Sequence, residues 1–210
     1  MISKNEQCIG LTIFIMLRRL INAYNISLDK KPLTTKSITF AVMNTGGDII
    51  SQIYEAKHKC IPLSINWKRA VIMGMFGFSI GAPTHHYWFN QLDKLPQFMY
   101  SRYKLKLSLF GEKIMMIIAD QIIFAPIYTI VFLTTVSAAN YYKQDKAPIQ
   151  KAFEHTNNAF KPTYLADCII WPPLQLINFM YIPLQYQVLY VNVCNLGWNT
   201  FLSYMVNKNK

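Results

Sequence analysis

Charge is scarce in this chain of 210 residues: Asp, Glu, Lys and Arg make up 15% of it, against about 25% in soluble proteins. The acids are rarer than the bases, 10 Asp and Glu against 21 Lys and Arg. So little charge leaves a water-facing surface poorly covered, and an apolar share of 52% with a mean hydropathy of +0.17 directs the reading toward a membrane. A soluble all-helical protein with buried helices is the competing reading. Cysteine is sparse as well. Cys8, Cys60, Cys168 and Cys194 stand far apart with no C-x-x-C and no His at metal spacing, which excludes a zinc site and a disulfide framework and leaves four reduced thiols. Also missing are a Ser/His/Asp arrangement, a Cys nucleophile pattern, a phosphate-binding glycine loop and a metal-spaced ligand set. No enzyme, metal or cofactor is therefore expected.

The net charge of +11 makes no concentrated stripe. It is scattered between apolar runs, as in Arg18/Arg19, Lys30/Lys31, Lys57/Lys59, Lys68/Arg69, Lys104/Lys106 and Lys143/Lys146. Nucleic-acid binding asks for one basic face interleaved with aromatics and is not expected here. Basic segments beside apolar spans suit anionic lipid head groups, at about 1 kcal/mol per cation, but they flank both sides of every span and so set no orientation. The N-terminus lacks a small-residue cleavage site. Lys4 and Glu6 precede the apolar run at 9–17 and Arg18/Arg19 follow it, so 1–31 reads as a basic segment with an interfacial helix, compatible with organellar import without cleavage.

What the chain does contain is long apolar runs with polar residues inside them. The run at 113–140 is long enough for a hydrocarbon core about 30 Å thick, yet it carries Asp120 and Gln121 near its middle and Pro126 just beyond. A carboxylate at that depth costs roughly 2.5–3.5 kcal/mol unless it faces protein or water. Pro126 removes a backbone donor within a turn of Asp120, and the freed carbonyl needs a partner or a wet cavity. The helix is expected to face the inside of a bundle.

Upstream, 33–54 is apolar enough to span and stacks Asp48 and Gln52 on one face, four residues apart, with Gly46 and Gly47 just before them to admit another backbone. After Pro62, the group Trp67, Lys68 and Arg69 reads as an interfacial anchor. The second span, 70–92, holds Gly77 and Gly81 in a G-x-x-x-G packing face, then Pro83, the adjacent His85 and His86, and Trp88. Neighbouring histidines point about 100° apart on a helix and cannot share a metal as an i, i+4 pair does. One of them is expected to bond inside the bundle, and Trp88 to sit in an aromatic belt. The segment 93–112 is placed outside the membrane. In 141–161 the choice is between a short surface helix bounded by Pro148 and Pro162 and a solvated linker. The remainder, 163–206, is long enough to cross twice with a break near Pro183. Trp171, Gln175 and Asn178 share one face, Pro172 and Pro173 at its outset and Pro183 at its end predict kinks or a non-helical entry, and Asn192, Asn195 and Asn199 form a second amide stripe.

In order along the chain stand Gly47-Asp48 with Gln52, Arg69, Pro83-x-x-His86-x-Trp88, and Lys113 with Asp120-Gln121 and Pro126. Trp171-Pro172-x-x-Gln175-x-x-Asn178-Phe179-x-x-x-Pro183 follows, and then Trp198 before Leu202-Ser203. In this order and spacing the chain resembles the Mpv-seventeen and twenty-two-kilodalton peroxisomal membrane protein family. It departs from the family pattern at Ala82, where the family has Gly, at Asn66, where it has Asp, and at Gln187, where it has Arg. The Asn66 change removes an expected ion pair with Arg69.

The resemblance implies an integral membrane protein of mitochondria or peroxisomes with about four transmembrane helices, channel-like activity, and a part in mitochondrial homeostasis and mitochondrial DNA maintenance. The combined expectation is an all-α, polytopic transmembrane helix bundle: one integral membrane domain over 1–210, the bundle at 33–206, with an added N-terminal interfacial helix. Its expected role is a channel for small solutes or ions, most naturally in the mitochondrial inner membrane, with the peroxisomal membrane as the other location. A non-transporting scaffold or assembly factor is the alternative. Asp48, Gln52, His86, Asp120, Gln121, Gln175 and Asn178 are the candidates for its polar interior. Gly77, Gly81, Pro83, Pro126, Pro172 and Pro183 are the candidates for packing and kinks, and Arg69 and Trp88 for membrane anchoring. The expected partners are membrane lipid and small solutes or ions, with a homo-oligomer as an option.

Overall fold

The computed structural model describes the backbone of residues 4–141 and 148–208, and side chains at 15–16, 18–138 and 149–198. Asn199 and Leu202-Ser203 of the sequence motifs lie outside the described side chains. The described residues form six helices and no strand. They are α1 (Lys4–Lys30), α2 (Pro32–His58), α3 (67–103), α4 (109–141), α5 (Pro148–Tyr181) and α6 (Leu184–Lys208).

Helices α2 to α6 close into a ring. Packing runs from α2 to α3, α3 to α4, α4 to α5, α5 to α6 and α6 back to α2, while α1 leans on α2. Only Lys31 separates α1 from α2, and Pro32 opens α2 at a position where its missing N–H costs no bond. Among the described residues, one helix meets the length and composition of a membrane span, Leu109–Ala138, with a mean hydropathy of 2.0.

Helices α3 and α4 each contain one wide turn, Gly77–Gly81 and Asp120–Phe124, in which the backbone bonds run i to i−5. Both turns end two residues before a proline, Pro83 and Pro126. In α4 the Ala125 N–H reaches Asp120 O. The next such bond would run from residue 126 to Gln121 O, and proline has no N–H to make it. Tyr164 of α5 fills the gap, its hydroxyl donating to Gln121 O at 2.8 Å. The carbonyl freed by Pro126 is thus satisfied by a neighbouring helix.

Several local expectations are corrected. Helix α3 continues through Pro96 to Tyr103 and α4 starts at Leu109, so within 93–112 only 104–108 are a connection; α3 stops at Lys104, whose φ of 55° is left-handed. Helix α5 runs unbroken through Pro162, Pro172 and Pro173, so neither a surface helix ending at Pro162 nor a non-helical entry at Pro172 forms. Pro162 and Pro173 leave the carbonyls of Asn158 and Ile169 unbonded by the helix, both on exposed residues, and packing along α4 outweighs the local penalty. The break before α6 falls at Ile182 and Pro183. Gly46 has open space where a side chain would stand, so no backbone approaches there, whereas Gly47 is buried.

The α2–α3 contact depends on missing side chains. A Cβ on Gly77 would stand 2.9 Å from Phe40 Cδ1, one on Gly81 would stand 2.7 Å from Phe40 Cε1, and one on Gly74 would run into Thr45. Phe40 is fully buried, so a shift of its ring displaces the core around it. Gly81→Ala is therefore expected to cost about 1–3 kcal/mol through overpacking. A second change, Phe40→Leu, should recover part of that loss, as read from the thermal midpoint in detergent; no recovery would show that the strain lies elsewhere.

Candidate functional site

At the centre of the ring lies a cavity of about 80 Å³. At roughly 10–15 Å³ per molecule it has room for several waters. Every helix of the ring supplies part of its wall: Asn44 from α2, Met73 and His85 from α3, Asp120 and Gln121 from α4, Asp167, Trp171 and Gln175 from α5, and Asn195 and Trp198 from α6. Phe124, Tyr128 and Phe132 extend the α4 face by steps of four residues from Asp120.

Asp120 is bonded to both neighbouring helices. It is 3% exposed, which leaves its charge to be met by protein donors. Trp88 Nε1–H donates to Oδ1 at 2.7 Å and Gln175 Nε2 donates to Oδ2 at 3.0 Å. Asn178 Nδ2 then donates to Gln175 Oε1 at 2.9 Å. The relay Trp88–Asp120–Gln175–Asn178 joins α3, α4 and α5. Trp88 was expected at a lipid interface; its indole instead turns inward, bonded to Asp120 and stacked on Phe124 with centroids 5.3 Å apart.

Asp48 and Gln52 do not reach the cavity. They form a separate network at one end of α2. Arg69 Nε donates to Asp48 Oδ1 at 2.8 Å, and its two terminal nitrogens donate to Glu55 at 3.2 and 3.0 Å. Gln52 Nε2 donates to Asp48 Oδ2 at 2.7 Å, and Gln52 Oε1 accepts the Asn66 N–H at 2.6 Å. Burial works against the Arg69 charge, but the hydrogen bond with Glu55 and the fields of both carboxylates outweigh it and hold the guanidinium above its ordinary pKa. The ion pair expected to vanish with Asn66 is thus supplied from α2, and Asn66 caps α3 by accepting the Arg69 N–H at 3.1 Å. Gln187 is buried and bonds back to Ile182 O at 3.2 Å.

His86 also lies away from the cavity, half-buried, with Nδ1 3.1 Å from Lys36 Nζ. His85 is the histidine on the wall, its Nδ1 2.8 Å from Gly81 O. Sequence reasoning missed His85, Asp167 and the α4 aromatics. The signal was present: Gly77, Gly81 and His85 lie four apart, as do Asp167, Trp171 and Gln175. Asn192 is buried on α6 and Asn195 reaches the cavity wall. Among the described residues, no group of three His, Cys, Asp or Glu side chains is placed to hold a metal.

The family model described as Mpv17 / PMP22 family matches residues 145–203, which hold α5 and most of α6. PXMP2/4 family protein 4 of Dictyostelium discoideum is 30% identical over 87% of this chain and 90% of its own. Protein sym1 of Aspergillus oryzae is 32% identical over 88% of this chain and 95% of its own. The chain belongs to the Mpv17 / PMP22 family. Within that family, protein SYM1 of Saccharomyces cerevisiae is 28% identical over 90% of this chain and 91% of its own. No solved structure matches the chain. The match over 145–203 takes in Asp167, Gln175 and Asn178, the α5 share of the cavity wall and of the relay.

Proposed function

We propose that this protein is an organellar membrane channel passing small solutes or ions, with about four of its helices crossing the bilayer. One observation carries the reading: buried polar side chains share the interior with the apolar core, while large apolar side chains cover the outside. Asp120, Gln175, Asn178, Asn44 and Asn192 are buried, while Ile38, Val42, Met75, Ile122, Ile127 and Ile169 face outward. A surface this apolar suits lipid, and polar walls around a cavity suit a wet interior. The mitochondrial inner membrane is the favoured location and the peroxisomal membrane the other; the family and the PXMP and SYM1 relatives support an organellar setting. In this reading Asp120 and Gln121 face the path, and the role is not enzymatic.

A scaffold reading draws on a different observation. The relay from Trp88 to Asn178 ties three helices together, as interhelical hydrogen bonds do at roughly 0.6–2 kcal/mol each. Reconstitution into planar bilayers separates the two. Discrete openings whose cation preference falls in Asp120→Asn, with assembly unchanged, are expected of a channel. A folded but silent protein would leave the scaffold reading.

A further inference from the structure

The transport reading uses Asp120 and Gln121, and the cavity wall holds more than these two. Asp120 and Asp167 both line it, from facing helices, beside the rings of Tyr128, Phe132, Trp171 and Trp198. Among the described residues, no Lys or Arg lines it. Arg69 is committed to Asp48 and Glu55 at the end of α2. Asp120 has two donors and the Gln121 side chain bonds to Asp167, but Asp167 Oδ2 and Gln121 Oε1 are buried acceptors with no hydrogen-bond donor. A carboxylate with little water around it is stabilised by a cation beside it. The wall therefore lacks positive charge.

Which cation suits it follows from the rest of the lining. A bare inorganic ion is held by oxygen ligands all round it, whereas this wall sets four aromatic rings beside its two carboxylates. An alkylated ammonium needs fewer oxygens: its charge pairs with a carboxylate while its methyl groups lie against aromatic faces, whose quadrupoles attract it. Space for several waters accommodates such an ion. We propose that the cavity is a binding site for a small alkylammonium cation, paired with Asp120 and Asp167 and faced by the four rings. This concerns occupancy of the cavity and stands apart from whether any solute crosses.

The test is equilibrium binding of tetramethylammonium to the full chain in lipid nanodiscs without an ion gradient, read by tryptophan fluorescence, since Trp171 and Trp198 are on the wall. A saturable change is expected, absent with potassium at equal ionic strength and absent with tert-butanol, a neutral molecule of similar shape. Asp167→Asn should weaken the affinity about tenfold or more, and Phe132→Leu, which removes a ring and no charge, should also weaken it. If Asp167→Asn loses its helical signal, Phe132→Leu decides alone. No saturation, an equal response to potassium or tert-butanol, or unchanged affinity in the folded variants would overturn the proposal. A protein that conducts without binding overturns this inference only; one that binds without conducting overturns the channel reading only.

Discussion

Arg69→Ala is expected to cost about 3 kcal/mol of stability, a large effect for a single surface-connected side chain. The reason is what the substitution leaves behind. Asp48 is 2% exposed and stays buried after its cation is gone, with Gln52 Nε2 as its remaining side-chain donor. Breaking a buried pair from one side costs about 3–5 kcal/mol; the Arg69 side chain is 31% exposed, which puts the value at the low end. Glu55 loses both of its bonds to Arg69 as well. Adding Asp48→Asn to the alanine variant should recover stability, because it removes the orphaned charge. Arg69→Lys should recover only part, since an ammonium cannot make the forked contact with Glu55 while reaching Asp48. Reversible unfolding in mixed micelles measures these variants together with Asp48→Asn alone and the unsubstituted protein. Strict additivity of the two substitutions would show that the pair is not coupled in the native state.

The second large effect belongs to Asp120→Ala, at roughly 2–4 kcal/mol. It strips the acceptor from Trp88 Nε1–H and from Gln175 Nε2 together, and each buried donor left alone costs about 1–3 kcal/mol. The adjoining cavity admits water to one of them, which keeps the sum below the maximum. Asp120→Asn retains one acceptor oxygen and should lose far less, so the two variants separate hydrogen bonding from charge. Trp88→Phe added to Asp120→Ala should cost little more, because the bond it removes is already gone. A full additional loss on the same unfolding assay would show that the indole acts through its stack on Phe124 instead.

The helical class, the polar faces and the family were legible because each leaves a periodic or ordered trace in the sequence. Asp120, Gln175 and Asn178 stood out as polar residues within apolar runs, and the structure joins them. What was not legible is which polar face meets which helix. Asp48 and Gln52 carry the same kind of trace as Gln175, yet they bond to Arg69 and Asn66 at the end of α2, a pairing fixed by how α3 docks rather than by spacing. His85 and His86 are equivalent in composition, and only the face marked by Gly77 and Gly81 distinguishes them. The prolines of α5 misled for a related reason: local preference predicts a break, and contacts with α4 override it.

The wide turn at Asp120–Phe124 also bears on how this chain compares with its relatives over evolutionary time. Such a turn holds one residue more than a regular helix uses, which makes it the footprint of a single inserted residue. Deleting one residue from 122–124 would restore the regular ladder and leave the downstream faces of α4 where they are, because the wide turn absorbs the extra rotation of about 100° locally. Tyr128 and Phe132 would stay on the cavity wall, and the carbonyl freed by Pro126 would still be that of Gln121. A one-residue gap at this point in an alignment therefore leaves the lining of the interior in place.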